Sequence, residues 1–285
     1  MRAAAGGSGP RVSICIPTYR GATTIGRTIE SVLAQSFTDF ELLVVDDHSP
    51  DDTAAIVARY ADPRLRYHRQ PRNLGPRGNW NRCLDLARGR YFKLLPHDDL
   101  LHPDCLSQQV QVLDADTAGA LALVFCARDV IGPDGRVLLR RRGWPGRAAG
   151  PATRADILRA CLRAGTNVVG EPGAVLCRLD AARRAGGFDD RYPYVIDLDY
   201  WVRLLAAGAG HYQDQALAAF RVWSGSWSVA IGARQSEQFR DFMTHALDQA
   251  ALRPGPIDRL RGRWMPTVNN LGRRVFYRFV AGLPA

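Results

Sequence analysis

Two apolar runs about fifty residues apart, Phe40–Val45 and Tyr91–Leu95, each break off near a pair of aspartates, Asp46-Asp47 and Asp98-Asp99. Runs of this length without polar alternation suit strands buried on both faces. Helical-period segments separate them. Val12–Ile16 is a first buried strand, expected to stop at Pro17, and Ile25, Thr28, Ile29, Val32 and Leu33 recur at helical spacing over 24–35. A second helix carries Ile56, Val57 and Tyr60, a short strand covers Leu65–His68, 73–78 reads as a loop, and a helix runs from Asn79 to Ala87. Strand and helix in strict alternation predict a parallel, right-handed wound sheet. In such a sheet ligands bind outside the carboxyl ends of the strands, where both aspartate pairs fall. Adjacent acids on an extended segment point in opposite directions, so Asp98 and Asp99 are expected to face different partners. A solvated turn is the alternative reading of either pair.

Beyond Pro103 the pattern predicts a helix to about Leu113, a buried strand Leu121–Ala127, and a hairpin turning at Pro133-Asp134-Gly135. A helix follows over Thr153–Ala164, then a strand Ala174–Cys177 and a helix Leu198–Ala207. From residue 233 the periodicity is helical only, with Phe239, Phe242, Met243, Ala246 and Leu247 on one stripe, broken at Pro254-Gly255-Pro256. Residues 257–285 hold six arginines against one aspartate, with aromatics interleaved. That segment suits an anionic membrane surface, or a helix packed on the domain with a solvated basic face. Residues 1–10 lack a signal peptide's apolar core and read as disordered.

The net charge of +10 favours anionic partners without choosing among nucleotides, lipid phosphates and nucleic acid. No RNA-binding motif accompanies the scattered arginines, so nucleic acid is not an expected partner. Six cysteines without metal-ligand spacing read as buried thiols in a reducing compartment. The apolar runs are too short to cross a bilayer, which predicts a cytoplasmic protein, soluble or peripheral on the inner face of the cell membrane. The dinucleotide and P-loop glycine motifs are absent, so a bound diphosphate would need a divalent ion on the carboxylates.

Five segments together resemble glycosyltransferase family 2: VSICIPTYR, FELLVVDDHSPDDT, NLGPRGNWNRCLDLARGRYFKLLPHDDLLHPD, GGFDDRYPYVIDLDYWVRLLAAG and FRVWSGSWS, in that order. The resemblance covers residues 11–230. It implies an α/β fold of GT-A type, a wound mixed sheet with a Rossmann-like nucleotide half (11–110) and an acceptor half (111–230). A helical basic C-terminal extension (231–285) follows. It further implies an inverting enzyme that moves a sugar from a nucleotide-diphospho-sugar, a UDP- or dTDP-sugar, to an acceptor hydroxyl. The acceptor would be a glycan or a lipid-linked glycan of polysaccharide, glycolipid or cell-envelope synthesis.

Carried over by position, Pro17, Thr18 and Tyr19 would line the nucleotide pocket, and Asp47 would accept from the base. Asn73 and Arg77 would lie near the base or diphosphate. Asp98 would meet the ribose or sugar, Asp99 would bind Mn²⁺ or Mg²⁺, and Arg221 would neutralise phosphate. Asp197 would be the general base, with Asp199 the second acid of that motif; a helix N-cap is the alternative for either.

Two positions depart from the family pattern. Pro96 stands where the D-x-D-D motif has its first acid, and Trp223 where R-x-H-x-x-S has its histidine. Arg221, Ser226 and Ser228 match that second motif. An indole cannot ligate an ion, so metal affinity without nucleotide is expected to be weak. These departures keep open a second reading, a degenerate GT-A protein that binds nucleotide or glycan without turnover.

Overall fold

The computed structural model describes residues 9–225 and 234–279. Residues 1–8 of the expected disordered terminus, and Ser226 and Ser228, lie outside the described residues. In chain order the elements are β1 (Val12–Thr18), α1 (Ile25–Leu33), β2 (Phe40–Asp46), α2 (Thr53–Val57), β3 (Leu65–Arg69), α3 (Gly75–Leu86) and β4 (Tyr91–Leu94). Then come β5 (Leu100–Leu101), α4 (Cys105–Ala115), β6 (Leu121–Ile131), β7 (Val137–Arg142), β8 (Gly150–Ala152) and α5 (Arg154–Ala164). The chain continues with β9 (Val175–Arg178), α6 (Leu179–Arg184), α7 (Ile196–Leu204), β10 (Ala209–Arg221), α8 (Gln235–Gln249) and α9 (Pro256–Phe279).

The sheet runs β3-β2-β1-β4-β9-β6-β10-β5, with β7 on β6 and β8 on β10. β3, β2, β1 and β4 are parallel, as the alternation requires. β9 is antiparallel to both β4 and β6 and joins the nucleotide half to the second half. The result is the mixed α/β sheet expected of a GT-A fold.

The sheet is buried on both faces, and residue parity along each strand assigns the faces. Val12, Ile14 and Ile16 of β1 pack with Leu42 and Val44 of β2 beneath α1 and α4. Cys15, Leu43, Val45, Phe92 and Leu94 face the other way, toward α3, α5, α7 and α8. Each fully buried aliphatic of this kind contributes roughly 1.5–3 kcal/mol, so two cores clamp the strands whose ends carry the acids. All six cysteines are buried and none is in a disulfide.

Three local expectations are corrected. β1 does not stop at Pro17: it continues to Thr18, with Pro17 level with Val45 of β2. Residues 75–78 are not loop, because α3 begins at Gly75 and accommodates Pro76 in its first turn, where a missing N–H costs nothing. Asp98 and Asp99 are not extended; they sit in a turn after β4, closed by the Asp99 N–H donating to the Pro96 carbonyl at 3.1 Å. Both therefore face one cavity rather than opposite sides of a strand.

Candidate active site

A cavity of about 950 Å³ opens at the carboxyl ends of β1, β2 and β4. Pro17, Thr18, Tyr19, Asp47, Asn73, Asp98, Asp99 and Asp197 all line it. Residue 197 is distant in sequence from the others, and the fold brings it to the same wall as Asn167, Glu171 and Arg128.

Asp47 follows β2 and faces the N-terminus of α3. Its Oδ1 accepts from the Leu74 N–H at 2.7 Å and its Oδ2 from the Gly75 N–H at 2.9 Å. Gly75 adopts φ 75°, a conformation that glycine reaches without penalty and that aims both amides at one carboxylate. Asn73 donates to the Asp47 carbonyl. Burial raises the Asp47 carboxyl while the two amides oppose that shift. Each oxygen keeps a lone pair for a further donor.

Two buried polar atoms in this part of the lining have no protein partner: Thr18 Oγ1 and Asn79 Oδ1. An unpaired buried oxygen is costly, and both residues border the cavity. Asn79, on α3, was not among the sequence-derived site residues. Its Nδ2 donates to the Val45 carbonyl at 2.9 Å, so the side chain is fixed with its oxygen presented.

At the second acid pair, Asp99 is 2% exposed and its Oδ1 accepts from the Arg221 N–H at 2.9 Å. Burial, then the charge of Asp98, pushes its carboxyl well above the usual range. Asp98 Oδ2 accepts from the Trp223 indole N–H at 2.8 Å. The residue that departs from the family pattern thus orients one acid of the pair. Among the described residues no group of three or more His, Cys, Asp or Glu is placed to hold a metal. Asp98 and Asp99 fit such an ion as an oxygen-only pair whose mutual repulsion a cation would relieve.

The two arginines expected at phosphate are elsewhere. Arg77 is solvent-exposed, 3.8 Å from Asp190, and does not line the cavity. Arg221 is buried, with its guanidinium donating to the carbonyls of Asp98, Gly132 and Pro133. It ties the end of β10 to the β6–β7 turn rather than facing the cavity. The cations that do line the cavity are Arg128, Arg142 and Arg273.

Asp197 sits in the first turn of α7. Its Oδ1 accepts from the Leu198 N–H at 2.7 Å, and its Oδ2 from Asn167 Nδ2 at 3.2 Å. Burial raises its carboxyl to about 7, and the charge of Glu171 adds to the effect while Arg128 opposes it. Arg128 and Glu171 form an ion pair at 2.6 Å. Asn167 and Glu171 were missed because the segment TNVVGEPG reads only as a turn. Asp199 pairs with Arg203 of its own helix at 2.9 Å and does not line the cavity.

A cleft at parallel strand ends holds Asp47, the Asp98-Asp99 pair and, on another wall, Asp197. The sequence profile described as "Glycosyl transferase family 2" matches residues 13–168. This chain belongs to glycosyl transferase family 2. It is 36% identical over 220 residues to the Mycobacterium tuberculosis protein MT1568, covering 74% of this chain and 67% of that one. It is 43% identical over 129 residues to the succinoglycan biosynthesis protein ExoO of Rhizobium meliloti, covering 45% of this chain and 36% of that protein. The chain thus spans between about a third and two thirds of these relatives' length.

Among solved structures, S. aureus TarS 1-349 in complex with UDP-GlcNAc superposes with a TM-score of 0.67 at 18% identity, over 94% of this chain and 73% of that one. The Pyrobaculum calidifontis mannosyltransferase PcManGT in complex with GDP-Man and Mn²⁺ superposes with a TM-score of 0.60 at 17% identity, over 95% of this chain and 88% of that one. Both share the fold of this glycosyltransferase.

Proposed function

We propose that this chain transfers a sugar from a nucleoside-diphosphate sugar to an acceptor hydroxyl with inversion at the anomeric carbon. The observation that carries the proposal is Asp197, a half-buried carboxylate whose pKa desolvation pushes up to about 7, on the same cavity as Asp47, Asp98 and Asp99. A base with a pKa near the working pH is effective because it is partly ionised and still basic.

In this reading the nucleotide lies over Pro17–Tyr19, with Asp47 and Asn73 at the base, Thr18 Oγ1 and Asn79 Oδ1 accepting donor groups, and Asp98 at the ribose or sugar. Asp99 would hold a divalent cation together with the donor's diphosphate and water, and oxygen ligands suit Mn²⁺ or Mg²⁺. When bound, that ion supplies positive charge to the leaving diphosphate. Arg128, Arg142 and Arg273 place further positive charge along the cavity. The acceptor oxygen attacks the anomeric carbon from the face opposite the diphosphate. Its proton passes to Asp197 as the bond to the leaving oxygen breaks. Asn167 holds the receiving carboxylate in place, and such a base is worth ~10²–10⁴ in rate.

The donor class is supported by the names of the fold neighbours, bound to UDP-GlcNAc in one and to GDP-Man in the other. The relative ExoO supports a polysaccharide acceptor. The test is a thermal-shift screen of nucleotide sugars with and without Mn²⁺, followed by turnover with the donor that shifts the melting point. Asp197→Asn should lose transfer by at least a hundredfold and retain donor affinity. Asp99→Ala should lose the Mn²⁺-dependent part of donor binding. Normal transfer by Asp197→Asn would overturn the base assignment, and donor binding without turnover in the wild type would favour the degenerate binding reading.

A further inference from the structure

The helix α9 is amphipathic in an inverted sense. Its large apolar residues Ile257, Leu260, Trp264, Leu271, Val275 and Phe279 are between 50% and 75% exposed, while Val268 beside them borders the cavity. At 3.6 residues per turn they fall on one stripe about 100° wide and roughly 33 Å long. The other side of the helix makes the contact with the domain, through small and polar residues in its first half and through Phe276 and Tyr277 on Val130 and Val222 near its end. Gly262 and Pro266 are buried there, and Gly262 lies so close to Leu162 of α5 that a Cβ would come within 2.2 Å of that side chain. Asn269 donates to the Ala164 and Gly165 carbonyls at the end of α5, at 2.6 and 3.1 Å. Asp258 pairs with Arg163 at 2.7 Å. These contacts fix the rotation of the helix and hold the apolar stripe outward.

The charge around the stripe selects what covers it. α9 carries six arginines and one aspartate, and that aspartate is taken by Arg163. Arg263 lies over the Trp264 ring at 5.8 Å and Arg278 over the Phe279 ring at 5.6 Å, so guanidinium groups border the aromatic ends of the stripe. Aromatic rings flanked by arginines suit the level of lipid headgroups, where the ring enters the acyl boundary and the cation reaches phosphate. A second copy of the same helix would bring one +5 segment against another. No helix among the described residues is long and apolar enough to cross a membrane, so α9 lies along a surface rather than through it.

We infer that the outward stripe of α9 docks the protein in the plane of an anionic lipid bilayer. The sequence reading placed a membrane surface and a solvated basic face side by side as alternatives for this segment. The exposed face is the apolar one, which separates them. The docking stands independently of the sugar-transfer reading.

The test is co-sedimentation of the full chain with vesicles, with secondary structure and melting point recorded for every variant. The wild type should sediment with phosphatidylcholine vesicles containing about 30% phosphatidylglycerol, at least tenfold better than with phosphatidylcholine alone, and the difference should shrink in 0.5 M NaCl. Leu260→Asp/Leu271→Asp should reduce sedimentation at least tenfold with unchanged circular dichroism. Arg263→Gln/Arg274→Gln/Arg278→Gln should abolish the preference for the anionic vesicles. Wild-type protein that stays in solution with anionic vesicles would overturn the inference. So would sedimentation unaffected by the two leucine substitutions, or a stable dimer that these substitutions dissociate.

Discussion

Replacing Asp197 by asparagine should yield a protein that is both inactive and more stable, and the gain should depend on pH. A carboxyl that titrates at about 7 in the folded protein and at its ordinary 3.8 in the unfolded chain costs the fold on the order of 4 kcal/mol above both values. The sign follows from proton counting. Between pH 3.8 and 7 the folded state holds more protons than the unfolded one, so this group's contribution to stability falls as pH rises. Asparagine removes that cost and still accepts from the Leu198 N–H. Its amide loses the bond from Asn167, about 1 kcal/mol. The net gain is then roughly 3 kcal/mol at pH 8.5, and close to zero at pH 5, where the folded carboxyl is largely protonated and the two effects nearly cancel. At roughly 2–4 °C per kcal/mol the melting temperature should rise by about 6–12 °C at pH 8.5. Paired thermal melts and urea titrations of the wild type and variant at both pH values measure this. A difference that does not grow with pH, or a variant less stable than wild type at pH 8.5, would refute the claim that burial and Glu171 raise this carboxyl.

The rate of transfer should rise with pH through about 7 as Asp197 loses its proton, and Glu171→Gln should move that acidic limb to lower pH. The lost like charge and the freed Arg128 both lower the Asp197 carboxyl, and an unmoved limb in the pH profile of kcat/KM would exclude the coupling. Arg221→Met should destabilise by about 2–4 kcal/mol in denaturant melts, because three carbonyls lose their donor in a buried site. A near-neutral result would mean that these oxygens find water instead.

The parallel part of the sheet, β1 to β4, was legible because its signals are local. The apolar runs of β1, β2 and β4 need burial on both faces, and the aspartates after them fall where a parallel sheet gathers its strand ends. The second half was less so. β10 runs for 13 residues, yet AGHYQDQALAAF mixes glycine, glutamine and aspartate, and it stays in register with β6 only through irregular steps. Its pairing is set by the sheet it joins rather than by its own periodicity. Pro17 read as a stop, but a proline survives in the ladder when its missing N–H falls at the strand's end. Arg221 matched a phosphate-binding position by motif, whereas only coordinates reveal that backbone oxygens surround its guanidinium. Asn167 and Glu171 carry no repeat or motif, and their importance comes from their nearness to residue 197.

The segment closing the far wall of the cavity has two jobs on two sides. Val268, Asn269, Gly272, Arg273, Phe276 and Tyr277 of α9 border the cavity, while Leu260 and Leu271 are exposed and do not line it. Phe276 and Tyr277 pack on Val130 and Val222, so the wall is anchored to the sheet. The proposed lipid contact and the border of the candidate site therefore lie largely on separate sides of one rod. With docking and transfer as proposed above, substitutions on the outer side would act on membrane attachment and those on the inner side on the fit of donor and acceptor.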